Sequence, residues 1–123
     1  MSACTSKAIL VVDDDALLRG LLTELLAGEG FVVIAAEDAS HALRALEAAP
    51  DVGLLLTDWQ MPGELDGVAL AQVVRRRWPH ISSIICSGSG RPRREDMPPQ
   101  ARFIPKPWNT RDMLRQVNEM LAA

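Results

Sequence analysis

At 123 residues, 48% hydrophobic and 24% charged, the chain is the size of one ordinary domain and apolar enough to build a core. A net charge of −3 argues against a general nucleic-acid binder, and no run of 18 apolar residues is present to span a membrane. Residues 1–7 lack the charged and apolar regions of a secretion signal, and Cys4 and Cys86 lie too far apart for a short metal or redox motif. Reduced thiols, a cytoplasmic location and a single domain over 1–123 with no output domain are therefore expected.

Residues 8–12 (Ala-Ile-Leu-Val-Val) form a short apolar run that stops at Asp13-Asp14-Asp15, the pattern of a strand buried on both faces. Asp15 is a good N-cap for a helix carrying Leu17, Leu18, Leu21, Leu22, Leu25 and Leu26, and Gly28 and Gly30 end it. A second strand is predicted over 31–36. Asp38 or Ser40 caps a helix through Ala49, which Pro50 closes. The third strand, 52–57, runs into Asp58, and a loop with Pro62 and Gly63 follows. A third helix is predicted over 67–78, with Arg75, Arg76 and Arg77 in its last turn, where cations suit the macrodipole. Strands over 81–86 and 102–104 come next, and Asn109 or Thr110 caps a final helix with Met113, Leu114, Val117, Met120 and Leu121. Between the last two strands, Pro92, Pro98, Pro99, Gly88 and Gly90 leave room for one or two helical turns, so a short, irregular or mobile segment is expected over 87–101.

Alternating strands and helices imply a parallel sheet covered on both faces, and such sheets bind ligands beyond the carboxyl ends of their strands. Asp13 and Asp14 follow strand one, Asp58 strand three, Ser87 strand four and Lys106 strand five. Taken singly, each has an ordinary explanation: an Asp that caps a helix or closes a turn, a Ser-Gly turn, a loop lysine between prolines. Together they are three carboxylates, a hydroxyl and an ammonium at one mouth. Clustered carboxylates call for a hard cation such as Mg²⁺, and a carboxylate beside a cation and a lysine can attack phosphorus to form an acyl phosphate.

The segments Val-Val-Asp-Asp (11–14), Leu-Leu-Thr-Asp-Trp-Gln-Met-Pro (55–62), Asp66-Gly67, Ile-Ile-Cys-Ser (84–87) and Phe-Ile-Pro-Lys-Pro (103–107) resemble, in this order and spacing, the receiver domain of two-component response regulators. The resemblance covers essentially the whole chain. It implies a flavodoxin-like, doubly wound α/β fold with a five-stranded parallel sheet in the order 2-1-3-4-5 and about five helices. Asp58 matches the phosphoacceptor, and Asp13 and Asp14 the pair that holds Mg²⁺, Asp14 as direct ligand. Asp58 and the backbone carbonyl of Gln60 complete the implied ligand set. Ser87 matches the hydroxyl that moves toward the phosphoryl group, Lys106 the lysine that pairs with it, and Phe103 the aromatic switch position. Gln60 and Ser89 match positions that tune acyl-phosphate lifetime, and Lys106–Pro107 matches a bond that is cis in the family.

Three departures stand out against that family. Phenylalanine replaces the commoner tyrosine at 103, the loop over 62–66 is about one residue longer than in the simplest receivers, and the fourth helix must be short or missing, which bears on the usual output face. The implied partners are a histidine kinase or histidine phosphotransfer protein and an unidentified downstream protein, with homodimerisation possible. An aspartyl-phosphate hydrolase of the haloacid dehalogenase type needs a second Asp two residues beyond the nucleophile, where this chain has Gln60. A degenerate docking module would not need all of Asp13, Asp14, Asp58, Ser87 and Lys106. Trp59 and Trp108 are expected to pack, His41 and His80 to lie at the surface, and Arg75–Arg77 to be solvated. Arg91, Arg93 and Arg94 form a second basic group that could dock a partner.

Overall fold

A computed structural model describes residues 7–49 and 51–122. The expectations for the signal-free N-terminus, Cys4 and Pro50 lie outside the described residues. The elements run β1 (Ala8–Val12), α1 (Ala16–Gly28), β2 (Val32–Ala36), α2 (Ala39–Ala48), β3 (Val52–Asp58), α3 (Gly67–Arg77), β4 (Ser82–Ser87), a 3-10 turn (Arg94–Asp96), β5 (Arg102–Pro105) and α4 (Thr110–Ala122). All pairings are parallel, and the strand order is β2-β1-β3-β4-β5. No described helix is long and apolar enough to cross a membrane.

The near-continuous apolar strands follow from the two layers they serve. Successive side chains along a strand point to opposite faces. Leu10 and Val12 of β1 join Leu55 and Ile85 in a core under α2 and α3, where Leu46, Leu70 and Val74 are buried. Ile9 and Val11 turn the other way and join Leu54, Leu56, Ile84 and Cys86 under α1 and α4, with Leu26, Met113 and Val117. Fully burying each such Leu or Ile contributes about 1.5–3 kcal/mol, so a central strand must be apolar on both sides.

The capping residues read from sequence act as such. The Asp15 carboxylate accepts from the Leu17 and Leu18 N–H groups at 2.9 and 3.2 Å, Asp38 from His41 N–H at 2.8 Å, and Asn109 from Asp112 N–H at 3.0 Å. Helix α1 is less buried than its leucine count suggests. Leu22 and Leu26 are buried, but Leu17 is 71% and Leu21 52% exposed, because a helix on a sheet covers only one stripe of its surface.

Where a fourth helix would lie there is one 3-10 turn, which leaves four α-helices among the described residues. The segment is irregular but tethered. Pro92, Met97, Pro98 and Ala101 are buried. Arg94 donates to the carbonyls of Ala101 and Pro99 at 2.9 and 2.6 Å, and Gln72 of α3 donates to the Asp96 carbonyl at 2.9 Å. Side chains thus replace the missing helical ladder in fixing the path of the chain.

Candidate functional site

Strand register brings the chemistry together. Val12 pairs with Thr57, Asp58 with Cys86, and Ser87 with Pro105. Asp13, Asp58, Ser87 and Lys106 therefore sit at the carboxyl ends of four consecutive strands. One carboxylate oxygen from each of Asp13, Asp14 and Asp58 lies within 4.8 Å of the others. The Lys106 Nζ stands 2.8 Å from Asp58 Oδ1 and 3.6 Å from Asp13 Oδ2. Asp13, Asp58 and Lys106 line a cleft of about 500 Å³ whose other walls are largely apolar, among them Leu18, Leu22, Leu56 and Trp108.

The three acids are held differently. Asp13 is 4% exposed, and its carboxylate accepts from the Asp15 N–H at 2.9 Å. Asp14 is exposed and Asp58 half-buried. Burial raises the Asp13 carboxyl above the usual range against the bond from Asp15 and the charge of Lys106, and the charges of Asp58 and Asp14 push the same way as burial. Burial by itself would lower the Lys106 ammonium, but the hydrogen bond to Asp58 and the charges of Asp13 and Asp58 outweigh it and raise its pKa, so Lys106 is a cation here. One ammonium among three carboxylates leaves a surplus of negative charge. Three oxygen donors converging on one point are the donor set a hard divalent cation takes, so the residues fit Mg²⁺.

Ser87 is 4% exposed. Its hydroxyl donates to the Ser89 carbonyl and accepts from the Ser89 N–H, both at 3.1 Å, while the Lys106 N–H donates to the Ser87 carbonyl at 2.9 Å. Gln60 and Ser89 are exposed. Phe103 is not in the acidic cleft. It lies one strand over, paired with Ile85, and lines a separate cleft of about 410 Å³ with Arg91, Met97 and Gln116. The Lys106–Pro107 bond is cis. Trp59 packs partly against the core and Trp108 against the α1/α4 layer, as expected. His41 and His80 are exposed.

The basic segment is less free than its sequence suggests. Arg93 pairs with Glu95, Arg94 holds two carbonyls, and the Arg91 guanidinium lies 4.8 Å from the Phe103 ring centroid.

Three contributors were not assigned from sequence. The Gly67 N–H donates to the Trp59 carbonyl at 2.7 Å, and a Cβ at Gly67 would lie 2.1 Å from the Asp58 carbonyl oxygen. Arg19 Nη1 reaches back from α1 to donate to the Asp13 carbonyl at 2.7 Å, and the Thr57 hydroxyl donates to the Asp58 carbonyl at 2.9 Å. Only Gly67 had a legible signal, the Asp-Gly pair after the loop. The others depend on tertiary proximity.

Cys86 lines the cleft, and burial pushes its thiol up to about 12. In Cys4→Ser at pH 8, a thiol reagent is therefore expected to label nothing until denaturant is added. Rapid stoichiometric labelling of the native protein would contradict this burial.

A family model described as "Response regulator receiver domain" matches residues 9–118. The chain is 35% identical to Protein PetR of Rhodobacter capsulatus over 98% of its own length, covering 51% of that protein. It is 31% identical to the response regulator receiver protein CpdR of Brucella abortus, over 95% of this chain and 98% of that one. It spans 17% of an NtrX-like putative response regulator of Rickettsia bellii, which it matches at 33% identity over 67% of its own length. Among solved structures, the receiver domain of NtrX from Brucella abortus superposes with a TM-score of 0.82 at 30% identity, covering 94% of this chain and 98% of that one.

Proposed function

Because this chain belongs to the receiver domain family of two-component response regulators, we propose that it is a phosphorylation-driven switch whose phosphoacceptor is Asp58. The observation that carries the reading is the Asp58 carboxylate at the end of β3, 2.8 Å from the Lys106 ammonium and clustered with Asp13 and Asp14.

The donor is a phosphohistidine on a histidine kinase or phosphotransfer protein. An Asp58 oxygen attacks phosphorus in line, the O–P bond forms as the P–N bond breaks, and the histidine nitrogen leaves with the electron pair. Lys106 holds the Asp58 carboxylate in the mouth beforehand, and its positive charge offsets the negative charge of the phosphoryl oxygens. Asp13, Asp14, Asp58 and the backbone carbonyl of Gln60 would hold Mg²⁺, which when bound supplies further positive charge against those oxygens. The Arg19 and Thr57 contacts to the Asp13 and Asp58 carbonyls fix the backbone that presents the acids. Ser87, at the end of β4, is the hydroxyl available to the attached group, and Gln60 and Ser89 would tune the access of attacking water. The outgoing signal is a change of surface read by a downstream protein.

The test uses the protein with acetyl phosphate as a small phosphodonor. Intact-mass measurement is expected to find one phosphoryl adduct with Mg²⁺ present and none after chelation. Equal labelling in chelator would remove the metal from the proposal.

A further inference from the structure

The hydrogen-bond ladder of β1 runs out where the acids begin. The strand stops at Val12. The Asp13 N–H still donates to the Ala36 carbonyl at 3.2 Å, but among the described residues no backbone N–H donates to the Asp13 carbonyl. Its donor is a side chain six positions on, the Arg19 guanidinium, whose Nη1 stands 2.7 Å away. Arg19 is itself held on the first turn of α1, its N–H donating at 2.9 Å to the carbonyl of Asp15, which caps that helix. The two acids that follow the strand are held unequally. The Asp13 carboxylate accepts from the Asp15 N–H at 2.9 Å. Asp14 is exposed, and among the described residues its side chain makes no hydrogen bond or ion pair. Yet an Asp14 oxygen lies within 4.8 Å of oxygens of Asp13 and Asp58. With no tie on its own carboxylate, Asp14 is aimed by the plane of the 13–14 peptide, and that plane is what Arg19 pins.

We propose that Arg19 is a positioning residue for the metal, which aims the Asp14 carboxylate at the cluster by holding the Asp13 carbonyl. This rests on the reading of Asp13, Asp14 and Asp58 as the Mg²⁺ site. A guanidinium on a carbonyl is a charge-assisted bond, stronger than a neutral one. Asp13 is 4% exposed, so without Arg19 its carbonyl finds a new donor in water only if the 13–14 peptide turns, and Asp14 turns with it. Partners of this kind, one bond removed from the ligand, are worth roughly ten- to a hundredfold in metal affinity. Arg19 also brings positive charge close to the site, and charge alone has the opposite sign: removing a cation would tighten the binding of another, by an amount that salt screens. The direction of the change therefore separates the two roles.

The test measures bound Mn²⁺, a hard divalent stand-in for Mg²⁺, by EPR of the free ion, in wild type, Arg19→Ala and Arg19→Lys at low and high salt. Affinity is expected to fall about tenfold in Arg19→Ala at both salt concentrations. Arg19→Lys, which keeps the charge and a donor, is expected to recover most of it. In acetyl phosphate labelling, the Mg²⁺ concentration at half-maximal rate is expected to rise in step for Arg19→Ala, while the rate at saturating Mg²⁺ stays within about twofold of wild type. Thermal melts in chelator check that each variant folds. If Arg19→Ala does not melt cooperatively, Arg19→Gln, which also removes the charge, takes its place in every comparison. Unchanged or tighter Mn²⁺ binding in the neutral variant overturns the proposal, as does a labelling rate that saturating Mg²⁺ does not restore. If wild type binds no Mn²⁺, the metal reading falls and the role of Arg19 falls with it. If wild type binds Mn²⁺ and the neutral variant binds it equally, the role of Arg19 alone falls.

Discussion

Asp58→Asn is expected to fold and to lose the phosphoryl adduct, by at least about a hundredfold in labelling yield. The amide keeps the size and a carbonyl oxygen but removes the anion that attacks phosphorus. It also removes one of three carboxylates that crowd within 4.8 Å of each other, so like-charge repulsion falls. Against this, Lys106 exchanges a charged partner at 2.8 Å for a neutral one while keeping Asp13 at 3.6 Å. The pair is partly exposed, so the two effects are small and opposed, and the melting temperature is expected to stay within a few degrees of wild type. Loss of labelling with the fold intact separates a chemical role from a structural one. An adduct of undiminished yield on Asp58→Asn would overturn the acceptor assignment, and Asp13 and Asp14 would be the next residues to map.

The second large effect concerns a residue without side-chain chemistry. Gly67→Ala is expected to cost about 2–3 kcal/mol and to lower the melting temperature by roughly 10 °C. The added Cβ would sit 2.1 Å from the Asp58 carbonyl oxygen, 2.9 Å from the Asp58 carbonyl carbon and 2.9 Å from the Trp59 Cα. All three are backbone atoms, so no rotamer change relieves the clash. Either the start of α3 moves or the Asp58–Trp59 backbone does, and the Gly67 N–H to Trp59 carbonyl bond at 2.7 Å ties the two together. Any shift reaches the acceptor carboxylate directly, so labelling is expected to slow as well. Gly20→Ala is the control. It lies inside α1 with nothing within 4 Å of its would-be Cβ, and it is expected to stabilise by about 0.5–1 kcal/mol. A Gly67→Ala protein as stable as wild type would show that the helix start can slide away at no cost.

Asp66-Gly67 illustrates how far sequence reaches. The pair is visible as a motif, and Asp66 caps α3 by accepting from the Ala69 N–H at 2.9 Å. That the glycine is demanded by lack of space, and not by a left-handed φ, appears only when the loop folds back on β3. Gly63 and Gly90 are the opposite case, with positive φ and open surroundings or a distant ring edge. The leucines of α1 make the same point about burial. Their spacing marks a helix, but which of them face the sheet depends on where that helix docks, and Leu17 and Leu21 do not. The arginines of the 87–101 segment extend it to charge. A basic group in sequence becomes, in space, one ion pair, one clamp on two carbonyls and one stack on an aromatic ring.

Local rules determined the element order, the caps at Asp15, Asp38 and Asn109, the failure of a fourth helix among prolines and glycines, and the placement of each acid, hydroxyl and lysine just past a strand. They act over a few residues, through backbone sterics, hydrogen-bond geometry and apolar periodicity, and so are written in the chain. Strand order and register are different in kind. Only their outcome brings Asp13 and Lys106, 93 positions apart in sequence, to the same carboxylate, and only the packed loop lays Arg91 on Phe103. Those distances come from which surfaces bury each other best, a property of the whole chain that no short segment contains.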